Sequence, residues 1–98
     1  MSELFIVVAI HAKPGTEAEL RRDLTAVVEP SRKEAGNLGY ELFVDQSDPG
    51  RFVFVEHWAS REARDKHHNE GPHIKHFEAN GMKNVASYEL VTFLDRVA

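Results

Sequence analysis

The sequence predicts an α+β fold of the ferredoxin-like type, in which a four-stranded antiparallel sheet carries helices on one face. Three observations lead to this prediction. Four segments are rich in β-branched and aromatic residues, helical patterns fill the connections between them, and the order of the elements is β-α-β-β-α-α-β. A length of 98 residues indicates a single domain over residues 1–98.

The first half of the chain predicts one strand and one helix. Residues 3–11, "ELFIVVAIH", have the composition of a strand. Thr16 follows a Pro-Gly break and can cap a helix. Apolar residues then recur at the spacing of one helical face: Leu20, Leu24, Val27 and Val28. Pro30 is expected to kink or end this helix, and Gly36 to cap its C-terminal end.

The second half predicts a hairpin, two short helices and a last strand. "LGYELFVDQ" and "RFVFVEHWA" read as strands joined by the turn "SDPG". Ser60 can cap the polar helix "REARDKHH", which "NEG" ends. Pro72 opens the helix "HIKHFEAN" and Gly81 ends it. Residues 85–94 form the last strand.

Both faces of the predicted sheet are apolar. The first strand places Leu4, Ile6, Val8 and Ile10 on one face, against Phe5, Val7, Ala9 and His11 on the other. The last strand alternates Tyr88, Leu90, Thr92 and Leu94 against Ser87, Glu89, Val91 and Phe93. Helices can cover only one face, so the other is predicted to pack against a second copy of the chain in an obligate homodimer.

Composition excludes several classes of function. The chain has no cysteine, which removes disulfides, thiolate nucleophiles and Cys-ligated zinc. Its net charge of -4 makes nucleic acid an unsuitable partner. The N-terminal apolar run of seven residues is too short for a signal peptide or a membrane span, so we expect a cytoplasmic protein with no membrane partner.

Five of the six histidines lie between His57 and Phe77. His73 and His76 could share a helical face, but no HExxH pattern occurs, and we expect no native metal site. Proton transfer is the alternative, since histidine titrates near neutral pH. His67 follows Ala63 by one helical turn and is expected to face inward, whereas His68 points nearer to solvent. A third interpretation is that most of these histidines are solvated.

Glu56 and Trp58 form a second group of candidates. They alternate along the third strand and therefore share a face with Phe52 and Phe54. Glu56 either braces a neighbouring helix or lines a pocket, and Trp58 is either core or pocket wall. Tyr40 could orient a flat substrate.

The segments "KPG", "EAGNLGYELFVD", "RFVFVEHWAS" and "HNEGPHIKHF" resemble the antibiotic biosynthesis monooxygenase family, and in particular its small quinol-monooxygenase-like proteins. The resemblance covers nearly the whole chain. It implies a dimeric α+β barrel with a pocket between sheet and helices. It also implies oxidation of phenols or hydroquinones to quinones, with O2 as co-substrate and neither metal nor flavin.

The resemblance also assigns residues. Its tryptophan corresponds to Trp58, the acid before it to Glu56, its glycine-tyrosine pair to Gly39 and Tyr40, and its histidine to His67. The Pro-His pair falls on Pro72 and His73, although counting back from Pro72 selects His68 instead of His67. The expected catalytic residues are His67, Trp58 and Glu56. The expected substrate-binding residues are Tyr40, His73, Phe54, His11 and His68.

Three functions follow from these patterns. The first is a cofactor-free monooxygenase of small phenols in which His67 is the base. The second, suggested by relatives that resemble the "EAGNLG" and "PHIK" segments, is an isomerase of a small phosphorylated hydroxyketone. The third is a dimeric stress protein that binds an apolar ligand without chemistry. Val8, His67 and Glu78 stand where haem-degrading relatives carry Asn, Trp and His, so haem is not expected.

Overall fold

The computed structural model describes residues 2–98 and has four strands, four α-helices and one 3-10 turn. The elements in chain order are β1 (Leu4–Ala12), α1 (Glu17–Thr25), α2 (Val28–Arg32), β2 (Asn37–Asp45), β3 (Asp48–Trp58), α3 (Arg61–Glu70), α4 (Pro72–Asn80), the 3-10 turn (Met82–Asn84) and β4 (Val85–Leu94). The strand order is β2-β3-β1-β4, and β1–β3, β1–β4 and β2–β3 all pair antiparallel. The predicted ferredoxin-like α+β fold is confirmed.

The first helical segment breaks earlier than predicted. α1 ends at Thr25 and α2 begins at Val28, so Pro30 is the third residue of a new helix and not the end of the old one. Proline is tolerated there, because the amide of a first-turn residue has no carbonyl partner within the helix. Thr16 makes no side-chain cap, since its hydroxyl donates to the Lys13 carbonyl at 2.8 Å.

Gly36 lies in the loop before β2 and not at the helix end. Its φ is +85°, a conformation that glycine adopts more readily than other residues. A Cβ at this position would also lie 2.5 Å from the Cβ of Ala63 on α3. The glycine therefore allows α3 to dock directly on the start of β2.

The predictions for the hairpin and the later helices are largely confirmed. β3 begins at Asp48, which places Pro49 and Gly50 inside the strand and tightens the turn. Ser60 caps α3, because its hydroxyl accepts from the amide of Ala63 at 3.1 Å. α3 continues to Glu70, two residues beyond the predicted limit, and Pro72 opens α4.

The two faces of the sheet differ in what covers them. One face packs on the helices, and its core includes Ile6, Ile10, Phe52, Phe54, Trp58, Leu20 and Leu24. The opposite face, called here the open face, carries the exposed side chains of Phe43, Val55, Leu90 and Leu94. His57 lies on the open face, as predicted, and stacks on Phe5 with ring centroids 4.1 Å apart.

β4 does not alternate regularly, and this corrects the predicted faces. Ala9 pairs with Leu90 but Ile10 pairs with Tyr88, so Glu89 is an extra residue in a β-bulge. The bulge moves Tyr88 to the helix-covered face.

None of the helices within residues 2–98 is long and apolar enough to span a lipid bilayer.

Candidate active site

A cavity of about 190 Å³ lies between the sheet and α3 and α4. Its walls are mainly apolar and include Ile6, Ile10, Phe54, Ile74, Phe77 and Val91. Its polar lining includes Tyr40, Glu56, Arg64, His67 and His68. A mainly apolar cavity with a few convergent polar groups is the usual form of a small-molecule site.

His67 is the most deeply placed polar group of α3, with only 5% of its surface exposed. Its Nδ1 lies 2.5 Å from Oε1 of Glu34, in the loop between α2 and β2. A carboxylate accepts hydrogen bonds, so this contact assigns the proton to Nδ1 and leaves the Nε2 lone pair free. Trp58 and Tyr40 pack around the ring at centroid distances of 4.8 and 5.5 Å.

Burial lowers the pKa of His67 below its ordinary value, and the hydrogen bond to Glu34 opposes this shift without reversing it. The imidazole is therefore neutral near pH 7. A neutral imidazole with a fixed tautomer can accept a proton at Nε2.

Glu56 and Trp58 form a buried, hydrogen-bonded pair beside the cavity. Nε1 of Trp58 donates to Oε1 of Glu56 at 2.9 Å, and both side chains are buried. Burial raises the pKa of the Glu56 carboxyl, while the bond from Trp58 opposes the rise. Glu56 lines the cavity, whereas Trp58 stands behind it against His67 and Tyr40. Of the alternatives left open by the sequence, Glu56 therefore lines the pocket and Trp58 belongs to the core.

Tyr40 enters the site from β2 and is almost fully buried. Its ring centroid lies 5.3 Å from that of Phe54, and both residues line the cavity. Burial raises the pKa of Tyr40 far above its ordinary range, so the phenol stays protonated. Tyr40 can therefore hold an aromatic ring and donate one hydrogen bond.

The structure divides the remaining predicted residues. His67 and His68 both line the cavity, but only His67 is buried. His73 does not line it and approaches from behind, with Nε2 3.3 Å from Oε1 of Glu34 and 3.0 Å from Oγ of Ser31. His11, predicted to bind substrate, does not line this cavity, and its Nε2 lies 2.7 Å from Oδ2 of Asp48 beside the hairpin. Its neighbour Ile10 lines the cavity, whereas His11 alternates onto the open face of β1, on the other side of the sheet.

Three residues of the site were missed from the sequence. Glu34 is 33 positions from His67 and sits in a polar loop, where no periodic pattern marks it. Arg64 lies three residues before His67 on the same helix, and this spacing could have identified it. Tyr88 reaches the cavity through the bulge, and its hydroxyl donates to Sδ of Met82 at 3.2 Å.

Glu34, His67 and His73 are also a potential metal-ligand set. Their ligating atoms all lie within 4.8 Å of one another. Sequence reasoning paired His73 with His76 at helical spacing and did not consider Glu34.

Comparison with known proteins gives one consistent result. The sequence profile of the antibiotic biosynthesis monooxygenase family matches residues 4–80. The chain is 38% identical over 74 residues to a Bacillus subtilis protein named "Putative monooxygenase YcnE", covering 76% of this chain and 77% of that protein. It is 31% identical over 78 residues to "Putative monooxygenase Rv0793" of Mycobacterium tuberculosis, covering 80% and 75%.

Solved structures agree with the fold. PA3566 from Pseudomonas aeruginosa superimposes with a TM-score of 0.93 at 33% identity, covering 100% of this chain and 97% of that one. Rv0793 superimposes with a TM-score of 0.88 at 28% identity, covering 99% and 97%. The family profile, the related sequences and the shared fold together show that this chain belongs to the antibiotic biosynthesis monooxygenase family.

Proposed function

We propose that this protein is a cofactor-independent monooxygenase that oxidises small phenols or hydroquinones to quinones with O2. One observation carries the proposal. His67 is buried at the cavity wall, and Glu34 holds its Nδ1–H so that the Nε2 lone pair is available to a substrate. Family membership supports oxygen chemistry, and the apolar walls suit an aromatic ring.

The first step is proton transfer. The substrate hydroxyl gives its proton to Nε2 of His67, and the negative charge of Glu34 stabilises the imidazolium. The phenolate that remains is electron-rich. It gives one electron to O2, and the resulting phenoxyl and superoxide radicals combine at a ring carbon. Loss of water from this peroxide leaves one oxygen atom on the ring and gives the quinone.

The cavity residues position the ring. Tyr40 and Phe54 offer aromatic surfaces to a flat substrate, while Trp58 supports Tyr40 and His67 from behind. Glu56, fixed by Trp58, presents a carboxyl group to the cavity and orients a second substrate hydroxyl. A cavity of about 190 Å³ suits one ring, since an apolar cavity of about 150 Å³ accommodates benzene.

The proposal includes a homodimer that acts in the cytoplasm. Leu90, Leu94, Val55 and Phe43 leave an apolar surface on the open face, and pairing with a second copy removes it from water. Leu90→Asp should convert the dimer to monomer in analytical ultracentrifugation. A wild-type monomer at micromolar concentration would reject the dimer, and cell fractionation tests the location.

The test of the activity is oxygen uptake by chelator-treated protein with a panel of one-ring and polycyclic phenols. Uptake should occur without added metal or flavin, and His67→Ala should lower it by about 10²–10⁴-fold. His68→Ala is the matched control, because His68 also lines the cavity but is exposed. Equal rates in wild type and His67→Ala would remove the base from the mechanism.

Arg64 favours a second candidate, the isomerisation of a small phosphorylated hydroxyketone. Arg64 lines the same cavity as His67, and an arginine side chain there could hold a phosphate. The base would then move a proton between neighbouring carbons, with no use of O2. Deuterium exchange from solvent into such a ketone, without oxygen uptake, would favour this activity. Thermal stabilisation by phenols, with neither oxygen uptake nor isomerisation, would instead indicate a binding protein.

A further inference from the structure

Behind the cavity, three ligating side chains from three segments of the chain converge on one point. Oε1 of Glu34 lies 2.5 Å from Nδ1 of His67 and 3.3 Å from Nε2 of His73. Glu34 comes from the loop after α2, His67 from α3 and His73 from α4. We propose that these residues form a site for one zinc ion, and that zinc bound there switches off the base.

The junction of α3 and α4 explains the convergence. Gly71 separates the two helices, and a Cβ at this position would lie 3.3 Å from both Oε2 of Glu34 and Cε1 of His73. The chain therefore passes close behind the three ligands. Glu34 is one-quarter exposed, which gives an ion a path from solvent.

The donor set fits zinc. Zinc bonds to histidine nitrogen and carboxylate oxygen are about 2.0–2.2 Å, so neighbouring ligands of a tetrahedral ion are roughly 3.3 Å apart. The Glu34–His73 distance already has this value, and the shorter Glu34–His67 contact must open to admit the ion. Two imidazoles and one carboxylate favour zinc over magnesium or calcium, which prefer all-oxygen sites. Water can complete the fourth position.

Zinc at this site would change the tautomer of His67. Because the Glu34 carboxylate accepts at Nδ1, the neutral ring carries its proton on Nδ1 and its lone pair on Nε2. A metal bound to Nδ1 needs that lone pair for itself, so the proton of the neutral ring moves to Nε2. No net proton is released. Nε2 can then no longer accept the substrate proton, although the ion never enters the cavity.

Inhibition rests on the proposed function, but binding does not. If His67 is the base, zinc lowers kcat without competing with the phenol. If the protein has another function, the site and the tautomer change remain.

The first experiment is calorimetric titration of the chelator-stripped full chain with zinc chloride. Wild type should bind one ion per chain, and His73→Asn should weaken binding by at least about 10–100-fold, the loss typical even of an outer-shell partner. His76→Asn is the matched control, because His76 lies on the same helix and is exposed. Glu34→Gln is a second, nearly isosteric variant whose folding is checked by circular dichroism. Equal binding by wild type and His73→Asn, or loss in His76→Asn, would overturn the site.

The second experiment reads the tautomer directly by nitrogen-15 NMR of the imidazole rings, without substrate. Zinc should move the proton of His67 from Nδ1 to Nε2 and leave the ring of His11 unchanged. Zinc binding without this change would overturn the switch. Binding and tautomer change in a protein that takes up no oxygen would support the site and reject the proposed function, so the two failures are distinguishable.

Discussion

The His67–Glu34 pair and the His11–Asp48 pair have similar geometry, but the pKa of the histidine moves in opposite directions. The N–O distances are 2.5 and 2.7 Å. His11 is about one-third exposed, and its bond to Asp48 is the largest cause that raises its pKa. His67 is almost completely buried, and burial lowers its pKa despite the bond to Glu34.

The difference shows that the surroundings, and not the partner, decide what such a pair does. At an exposed site, a neighbouring carboxylate stabilises the protonated histidine and raises its pKa. In an apolar site, burial destabilises the protonated form and lowers the pKa. The exposed pair is a surface ion pair. The buried pair is a neutral imidazole that a carboxylate holds in one tautomer, ready to stabilise charge only when a proton arrives.

The largest effect is expected from removing the charge of Glu34, the carboxylate that pairs with the buried His67. Glu34→Gln keeps the shape of the side chain, but its amide can donate to Nδ1 and select the wrong tautomer of His67. Turnover should fall by about 100-fold or more, within the range of general-base losses. Asp48→Asn changes the exposed pair in the same way and should leave kcat unaltered. Equal kcat in the two variants would show that the pairs are equivalent.

The next effect concerns the packing that buries His67. Trp58→Ala removes a fully buried ring next to the imidazole, and should lower the free energy of unfolding by about 3–5 kcal/mol in urea titrations. Water that enters the space should also bring the pKa of His67 closer to 6.5, as measured by NMR. Trp58→Phe fills most of the volume and should do less of both. A stable Trp58→Ala variant with an unchanged pKa would mean that another group controls the imidazole.

Glu56 extends the comparison to a buried acid. Burial raises its folded-state pKa above the ordinary 4.5, so ionisation destabilises the fold. The unfavourable contribution is absent below pH 4.5, grows as the pH rises through the interval up to the folded pKa, and is then constant. Glu56→Gln keeps an oxygen for Trp58 but cannot ionise. Relative to wild type, the variant should therefore gain stability with rising pH, and parallel stability profiles would contradict this explanation.

The smallest effect is the response of the two histidines to salt. Asp48 raises the pKa of His11 at an exposed site, so added NaCl should bring the value back towards 6.5. The contribution of this pair to stability is present below pH 6.5 and is lost as the pH rises through the folded pKa of His11. The pKa of His67 should hardly respond to salt, because burial is the main cause of its shift. NMR titrations at low and high salt measure both in one sample.

Local patterns predicted the elements and the inward face of α3, because both depend on residues that are close in the chain. Ala63 and His67 are one turn apart, and that spacing was sufficient to distinguish His67 from His68. Long-range placement was not predictable in this way. Glu34 meets His67 only after α3 docks on the loop before β2. His11 differs, because its alternation with Ile10 on β1 already places it on the open face, away from the cavity. The bulge at Glu89 reversed the side of Tyr88 without any glycine or proline to mark it.

Gly36 determines how precisely the acid and the base meet. Glu34 stands two residues before it, and Ala63, which it touches, stands one turn before His67. A methyl group added at Gly36 would overlap the Ala63 side chain. Helix α3 would then have to move away from the loop before β2. The close approach that Gly36 permits between this loop and α3 thus helps to set the distance between Glu34 and His67, although Gly36 contacts neither side chain directly.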